Sequence, residues 1–440
     1  RCERVELMNF FDQCKQCSVI VDNGSGVLFQ PMTEEYSYIL TAKHNLYNDA
    51  KQGSYKEPKD KDDIKITFCD GNDKQIIDKY EHDSLDIAIL KIDKIEFESP
   101  YKEFIQPNNG YEFKFYGYPE KRRNETEKIS YFDLNIGDIT GFEITASNKE
   151  YFPKEYINGC SGGGVFKQDG DNFYLVGIEY RMDAQSEEEV EQNVRVKYID
   201  IKAFDEIIEQ DKSELTPLYP PYMKDFNLLI ENIFLLIGME NHEKKLIQDR
   251  LKLIATNLSK NLNPIVIKNK FENELLVRGL SINEFSNKEL WSMYLEFLVI
   301  SVFLDSSTPI SIEAVENIYK KRKILFVKAS NWIDLKEQIL TSNLYRLNKD
   351  GDVIICCDGD RTPTRLELKG KSLVSIANAI MPEEMRIDSS IGKIDKDLKF
   401  KHIHIVQNQM INDYDDGVYD SATATNIEGI IKDEINKAFN

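Results

Sequence analysis

Across residues 1–210 the chain is a succession of short apolar runs, each cut off by Gly, Pro, Asn or Asp after a few residues. They cover Cys17–Asp22, Gly26–Gln30, Tyr36–Ala42, Ile64–Phe68, Asp86–Ile92, Glu112–Tyr118, Ile129–Leu134, Gly164–Lys167, Phe173–Tyr180 and Val194–Ile199. Buried helices need roughly 10 residues or more, so runs this short, rich in Val, Ile, Tyr and Phe, predict strands. Many short strands at such spacing predict a sandwich or barrel. A helix over Ile201–Gln210 is expected to close this part. Residues 211–222, DKSELTPLYPPY, hold three prolines, which exclude a regular element and predict a linker.

After Tyr222 the period changes. Asp225–Ile237, Glu240–Leu262, Lys288–Leu304 and Ile312–Arg322 carry apolar residues at helical spacing. Beyond them strands alternate with helices: strand Ile324–Ala329, helix Trp332–Tyr345, strand Asp352–Asp358, helix Lys371–Ile380, strand His402–Gln407 and helix Asn426–Phe439. That alternation predicts a small α/β unit with a partly parallel sheet. The domains expected are 1–210, a linker at 211–222, a helical part at 223–322 and an α/β part at 323–440.

Composition excludes several classes. With 56 Lys and Arg against 76 Asp and Glu, the net charge of -20 repels nucleic acid and anionic lipid. No apolar run approaches the roughly 18 residues of a membrane span; Tyr294–Leu304 is too short. The start, RCERVELMNFF, lacks a signal peptide's layout and lacks Met, so a trimmed start is expected. Seven unevenly spaced cysteines argue for a reducing compartment, and a cytoplasmic location is expected.

Three segments of the β-rich half carry complementary chemistry. Leu40-Thr41-Ala42-Lys43-His44 puts His44 where an apolar strand runs out into a loop. In Asp86-Ile87-Ala88-Ile89-Leu90 an acid stands at a strand start. In Asn158-Gly159-Cys160-Ser161-Gly162-Gly163-Gly164 a Ser sits in a glycine-rich turn. Acyl transfer needs these parts together. A Ser hydroxyl is a poor nucleophile until a His takes its proton. The His needs an acid to fix its tautomer. The oxyanion needs converging N–H donors, and Gly lets the backbone approach.

The three segments resemble the chymotrypsin-like serine proteases. Thr41-Ala42-Lys43-His44 matches the family's histidine signature, Asp86-Ile87-Ala88-Ile89-Leu90 its aspartate signature, and Gly159-Cys160-Ser161-Gly162-Gly163 its serine signature except at Cys160. The order is the family's, and the resemblance covers about residues 15–205. It implies a double β-barrel with His44 as general base, Asp86 as orienting acid and Ser161 as nucleophile. It also implies an oxyanion hole from the Gly159 and Ser161 N–H groups, and neither cofactor nor metal. Cleavage-activated members place an Asp where Cys160 stands, paired with a freed N-terminal ammonium. Cys160 cannot make that pair, so control is expected from elsewhere. Glu155, six residues before the nucleophile, falls where the pocket base can lie, and would favour Arg or Lys at the cleavage position. The strand with Glu179 and Tyr180 would form a pocket wall and substrate edge.

Other motifs read as structural. Cys14-Lys15-Gln16-Cys17 has metal-knuckle or redox spacing, but no second pair follows, so reduced cysteines at a strand start are expected. Cys356 and Cys357 lie in an apolar strand. His402-Ile403-His404 puts two imidazoles on one strand face, a pattern that can ligate metal, with no accompanying acid or cysteine. Asp358, Asp360 and Glu367-Leu368-Lys369 have the order of a metal-dependent nuclease motif, in a Pro-containing segment. Lys121-Arg122-Arg123 and Lys320-Lys321-Arg322-Lys323 are basic islands expected to be solvated, with a phosphate or acidic-protein contact as the alternative.

The layout, a protease-like unit followed by helices and a small α/β unit, looks like effector subunits of ABC-three-component or Lamassu-type bacterial defence systems. This implies partner subunits, an SMC-like ATPase among them, engaged through the C-terminal half. The function expected is an intracellular, regulated serine endopeptidase acting through an acyl-enzyme in anti-phage defence. The alternatives are an inactive protease-fold scaffold that binds peptides and a C-terminal metal-dependent nuclease.

Overall fold

The structure, a computed structural model, describes residues 8–48, 50–51, 54–55, 57–108, 112–149, 156–182, 195–236, 242–275, 282–308, 311–327, 344, 346–348, 350–357, 367–369 and 398–439. Glu155, Cys2, Asp358, Asp360 and the helix expected over Lys371–Ile380 lie outside them, as does all but Leu344 of the helix expected over Trp332–Tyr345. The chain forms two compact units, Arg1–Pro221 and Tyr222–Asn440.

The first unit holds two antiparallel sheets. The strands of the first are β1 (Ser18–Val21), β2 (Gly24–Phe29), β3 (Tyr36–Thr41), β6 (Ile66–Thr67), β7 (Asp73–Lys74), β8 (Ile76–Glu81) and β9 (Ala88–Asp93), in the order β7-β6-β1-β2-β3-β9-β8. A hairpin of β4 (Ala50–Lys51) and β5 (Ser54–Tyr55) stands apart. The second sheet uses β11 (Phe113–Gly117), β12 (Ser130–Thr140), β13 (Glu143–Asn148), β14 (Gly164–Asp169), β15 (Asn172–Met182) and β16 (Arg195–Asp200). Here β16 pairs with both β13 and β15, which closes these strands into a barrel. The short β10 (Tyr101–Lys102) adds to β15 in parallel. Two barrel or half-barrel sheets, as in the chymotrypsin fold, are present: the second is closed by hydrogen bonds, and in the first no pairing joins β7 to β8 among the described residues.

The central strands of the first sheet, β1, β2, β3 and β9, are buried on both faces, and the strand period of two explains how. On β3 and β9, Ile39, Ala88, Leu90 and Ile92 point into the first sheet's own core, with Val19, Val21 and Leu28. Tyr38, Leu40, Ile87 and Ile89 point the other way, toward Tyr116, Phe166 and Ile178 of the second sheet. Each buried Val, Leu or Ile contributes roughly 1.5–3 kcal/mol, so the two sheets are held by a core of their own, and the loops at its edge meet.

Three departures from the sequence reading stand out in this unit. Cys14 and Cys17 lie on a helix, Phe10–Cys17, capped by Asn9. The expected strand begins only at Ser18. The proline-rich segment forms no α-helix or strand before Pro221, as its prolines require, yet it is not a loose tether. Leu215 and Leu218 are buried in the core between the sheets, and Thr216 N–H donates to the Tyr38 hydroxyl at 2.7 Å. β8 and β13 went unread because each is mostly polar, with Ile76, Ile77 and Tyr80 the apolar residues of the one and Ile144 and Ala146 those of the other.

The second unit carries a four-stranded sheet, β17 (Arg322–Val327), β18 (Asp352–Cys357), β19 (Glu367–Lys369) and β20 (Lys399–His402), in the order β17-β18-β20-β19. The first, second and last of these are parallel, and β19 is an antiparallel edge. Helices run over His242–Ser259, Pro264–Leu275, Lys288–Asp305, Ile312–Lys321, His404–Asp415 and Ile427–Phe439. Lys288–Asp305 is buried almost all round, as its predominantly apolar sequence requires. Phe226–Asn232 is a 3-10 helix where an α-helix was expected, and Pro264–Leu275 is a helix the sequence reading lacked. The strand expected over His402–Gln407 ends at His402, because the Ile403 N–H makes the last bond to Ile355 and the chain then turns into a helix. Among the described residues, no helix is long and apolar enough to cross a membrane.

Candidate active site

His44 lies in the 3-10 turn Lys43–Leu46 that follows β3, and Asp86 lies just ahead of β9. These strands are paired, with Thr41 opposite Ala88, so the two loops leave the sheet side by side. Asp86 accepts twice from one residue. Its Oδ1 takes the His44 backbone N–H at 2.9 Å, and its Oδ2 lies 2.8 Å from His44 Nδ1. An ionised carboxylate can only accept, so Nδ1 carries the proton and Nε2 of the neutral ring keeps its lone pair. The backbone bond fixes the carboxylate's rotation, and so the ring's.

The Ser161 turn is tied to the same loops. Its carbonyl accepts from Ser25 N–H at 2.7 Å and from Asn45 Nδ2 at 2.8 Å. Asn45 is the neighbour of His44, so one side chain links the Ser161 turn to the His44 turn. Thr41 Oγ1 completes the cluster, donating to the Ser25 carbonyl at 2.6 Å and accepting from Asn45 at 3.1 Å. Gly162 has a φ of +93°, and a Cβ there would fall on the Ser25 carbonyl, so only Gly fits. Among the described residues no hydrogen bond joins His44 Nε2 to the Ser161 hydroxyl. Such bonds are often long without substrate and tighten when it binds.

The N–H groups of Gly159 and Ser161 have no hydrogen-bond partner among the described residues, whereas Cys160, Gly162 and Gly163 N–H are all bonded. The two free donors are the pair the sequence nominated for an oxyanion. Cys160 points the other way, into the apolar core of the second barrel, with Phe115 and Val165. Burial pushes its thiol well above the ordinary range, so it stays protonated. An Asp in its place would put a carboxylate into that core.

Glu179 sits on β15 beside this turn. Its N–H donates to Gly163 at 2.9 Å, and its carbonyl accepts from Gly162 N–H at 2.7 Å. The side chain is 1% exposed, and neither carboxyl oxygen makes a well-formed hydrogen bond. Burial pushes this carboxyl up to about 8; the facing Ser161 hydroxyl pulls it down and the Asp86 charge pushes it further up. Tyr180 is largely buried, its hydroxyl donating to Glu143, which also pairs with Lys197 at 2.8 Å. Among the described residues, β15 beyond Ile178 pairs as a strand only with β16, and none of them pairs with its other edge from Tyr180 to Met182.

The sequence reading missed Ser25 and Asn45 and used Thr41 only within the histidine signature; all three act through bonds to main-chain carbonyls, which leave no spacing signature. It also took Arg123 as solvated. Arg123 instead donates to main-chain carbonyls around Gly159. Arg122 binds Glu125 and the Ile129 carbonyl, and Lys121 lies over the Tyr156 ring. In the second unit Arg322 pairs with Asp305 in a bidentate contact and fully buried Lys323 pairs with Glu274, so that half of the island is not solvated, while Lys320 and Lys321 are exposed as expected. His402 and His404 lie on a strand end and a helix start, not on one strand face. Their rings stand 4.7 Å apart, and burial pushes His402 down to about 3. Cys17 Sγ donates to the Glu98 carbonyl at 3.1 Å. Among the described residues, no three His, Cys, Asp or Glu side chains gather as a metal site.

Solved structures similar to this chain include kallikrein-related peptidase 10, at 14% identity and a TM-score of 0.34, covering 46% of this chain and 97% of that one. Another is the serine endoprotease from Yersinia pestis, at 20% identity and a TM-score of 0.33, covering 46% of this chain and 65% of that one. No curated protein matches the chain. Residues 198–412, from within β16 to the helix after β20, match the family described as C-terminal domain 4 of the ABC-three component systems.

Proposed function

We propose that the chain is a serine endopeptidase of a multi-component system, with His44, Asp86 and Ser161 as its catalytic unit. The observation that carries this reading is the double acceptance by Asp86 from the backbone and ring of His44. It leaves Nε2 as a base of fixed direction, on a loop joined through Asn45 to the Ser161 turn.

In this reading Nε2 takes the Ser161 proton as Oγ attacks the scissile carbonyl carbon. The oxyanion is received by the Gly159 and Ser161 N–H groups. His44 then passes the proton to the leaving amine as the C–N bond breaks. Water, deprotonated by the same imidazole, hydrolyses the acyl-enzyme. An extended substrate would lie along the open edge of β15 beyond Glu179, and Glu155 would read its side chain. The family matched by residues 198–412 supports partner subunits, with an SMC-like ATPase and a role in anti-phage defence as the specific form proposed. The location proposed is the cytoplasm. The net charge of -20 argues against direct nucleic-acid binding.

The test is a serine-reactive fluorophosphonate probe on the full chain, alone and with the products of neighbouring genes. Labelling at Ser161 that disappears in His44→Ala supports the reading. A folded chain that never labels under any of these conditions sinks it, and leaves a peptide-binding scaffold.

A further inference from the structure

Arg123 makes contacts that its place in a basic run does not suggest. Its guanidinium reaches five main-chain carbonyls: Asp22 at 3.0 Å, Asn23 at 2.6 Å, Gly24 at 3.2 Å, Tyr118 at 3.4 Å and Gly159 at 3.3 Å. No ion pair with it exists among the described residues. These carbonyls belong to three separate segments: the β1–β2 turn, the loop after β11, and the turn that carries Ser161. Five carbonyl oxygens crowded together repel one another. A planar cation with several donors is the one side chain that can hold them in place.

The peptide group is planar, so a fixed carbonyl fixes the N–H on its far side. The carbonyls from Asn158 to Ser161 are all held. Asn158 accepts from Glu120 N–H at 2.8 Å, Cys160 from Gly163 N–H at 2.8 Å, and Ser161 from Ser25 N–H at 2.7 Å. Gly159 accepts from Ser25 Oγ at 3.0 Å and from Arg123. The Gly159 N–H thus points away from Glu120, and the Ser161 N–H away from Gly163. Glu120 and Arg123 belong to one loop, in which Arg123 N–H donates to the Glu120 carbonyl at 3.3 Å. A Cβ on Gly159, whose φ is +89°, would lie 2.8 Å from Glu120 N and 3.0 Å from the guanidinium, so the turn is seated against this loop.

We propose that Arg123 is the positioning residue of the oxyanion turn, clamping the Gly159 carbonyl and the Glu120 loop so that the Gly159 and Ser161 N–H groups stay aimed at the substrate oxygen. Cleavage-activated members of the family the site resembles hold this turn with an acid–ammonium pair, which Cys160 rules out here; the Arg123 clamp acts on the Gly159 carbonyl instead. It needs no freed N-terminus, so the turn is set by folding alone. The catalytic consequence rests on the protease reading above; the clamp itself does not.

The experiment uses the full chain with Arg123→Gln and Arg123→Lys. Lysine keeps the charge and stem but cannot span the carbonyls. Two readouts are taken: hydrogen exchange at the Glu120, Cys160 and Gly163 amides, and kcat and KM on a peptide substrate. Expected are exchange faster by about tenfold or more at those amides, as for a lost hydrogen bond, with β14 and β15 amides unchanged. Also expected is a kcat lower by on the order of 10²-fold with KM nearly constant, because only the transition state uses the aimed donors. Unchanged exchange in a folded variant overturns the clamp, even if the wild type cleaves peptides. Faster exchange confined to the turn upholds the clamp, even if the wild type cleaves nothing and the protease reading falls. Should Arg123→Gln fail to fold, Arg123→Lys decides on the same criteria. A fall in kcat matched by an equal rise in KM overturns the aiming role.

Discussion

Glu179 turns a fully buried carboxyl toward the hydroxyl of Ser161, and their backbones are locked together through Gly162 and Gly163. The backbone cannot yield, so the side chain's protonation decides what Ser161 meets. The groups facing it are Ser161, Asp86 and the Cys160 thiol. Below about 8 Glu179 is neutral; above it, it is a carboxylate that can only accept. A carboxylate there competes with His44 for the Ser161 proton. Wild-type activity is therefore expected to fall as pH rises through about 8, and Glu179→Gln is expected to remove that fall. A pH–rate profile of the two proteins decides it, and superimposable alkaline limbs refute the competition.

The same group sets a stability prediction with a definite sign. Its folded value lies above its unfolded value of 4.5, so the folded chain holds the proton more tightly. Wild-type stability is lost as pH rises from 4.5 toward about 8 and is level beyond. Glu179→Gln is expected to gain stability over that window by a few kcal/mol, and nothing below it. Glu296, buried and raised to about 7, gives the wild type a similar slope from the second unit. The difference in Tm between mutant and wild type, not either curve alone, is the measurement.

If His44, Asp86 and Ser161 act as one unit, Ser161→Ala and His44→Ala each lower kcat by on the order of 10⁴–10⁶, and the double mutant is scarcely worse. Asp86→Asn is expected to cost about 10⁴-fold, because an amide can donate to Nδ1 and so put the proton on Nε2. Steady-state kinetics on one peptide checks all four. A double mutant whose loss multiplies the single losses would show that no proton is shared.

Specificity is the property least fixed by what surrounds Ser161. Glu155 stands six residues before it, and Glu155→Gln is expected to weaken cleavage after Arg or Lys far more than after neutral residues. A peptide-library screen on the full chain gives the answer. Preference for aromatic or acidic residues removes Glu155 from the pocket.

The parts of the site that were legible are those with a side-chain signature. His44 and Asp86 each stand at the end of an apolar strand, and β3 and β9 pair as the alternation of Tyr38, Leu40, Ile87 and Ile89 requires. Ser161 was legible from its glycines. What held them was not, because Ser25, Asn45 and Arg123 bind main-chain carbonyls, and a carbonyl is the same at every residue. His402-Ile403-His404 misled for a different reason. Its period of two is a strand's, but the pairing of β20 with β18 ends at His402 opposite Ile355, although β18 runs on to Cys357, and the chain turns into a helix at His404. Asp225–Ile237 has helical spacing, and periodicity does not separate a 3-10 helix from an α-helix.

The last prediction concerns control, and the structure moves its boundary. A fragment ending at residue 210 would lose Leu215 and Leu218 from the core between the sheets, and with them the Thr216 bond to Tyr38. Leu218→Ala alone is expected to cost about 2–5 kcal/mol, as for other buried leucines, so an inactive 1–210 fragment would only report unfolding. The informative cut follows Pro221, where the first compact unit ends. On the protease reading, an active triad in the proposed cytoplasm needs restraint, and Cys160 excludes restraint by an unpaired acid. The remaining candidate is residues 222–440, or a partner bound to them. A partner that prefers the active form must do so by roughly 5.5 kcal/mol to turn a 1:99 mixture into 99:1, which is within reach of an ordinary protein interface. Fragment 1–221 and the full chain are to be compared with a peptide substrate and a serine-reactive probe, with and without the neighbouring gene products. The expected result is a full chain that labels slowly alone and rapidly with its partner, and a fragment whose labelling the partner does not change. Equal and substantial labelling of both, indifferent to every partner, removes the regulatory role from the C-terminal half.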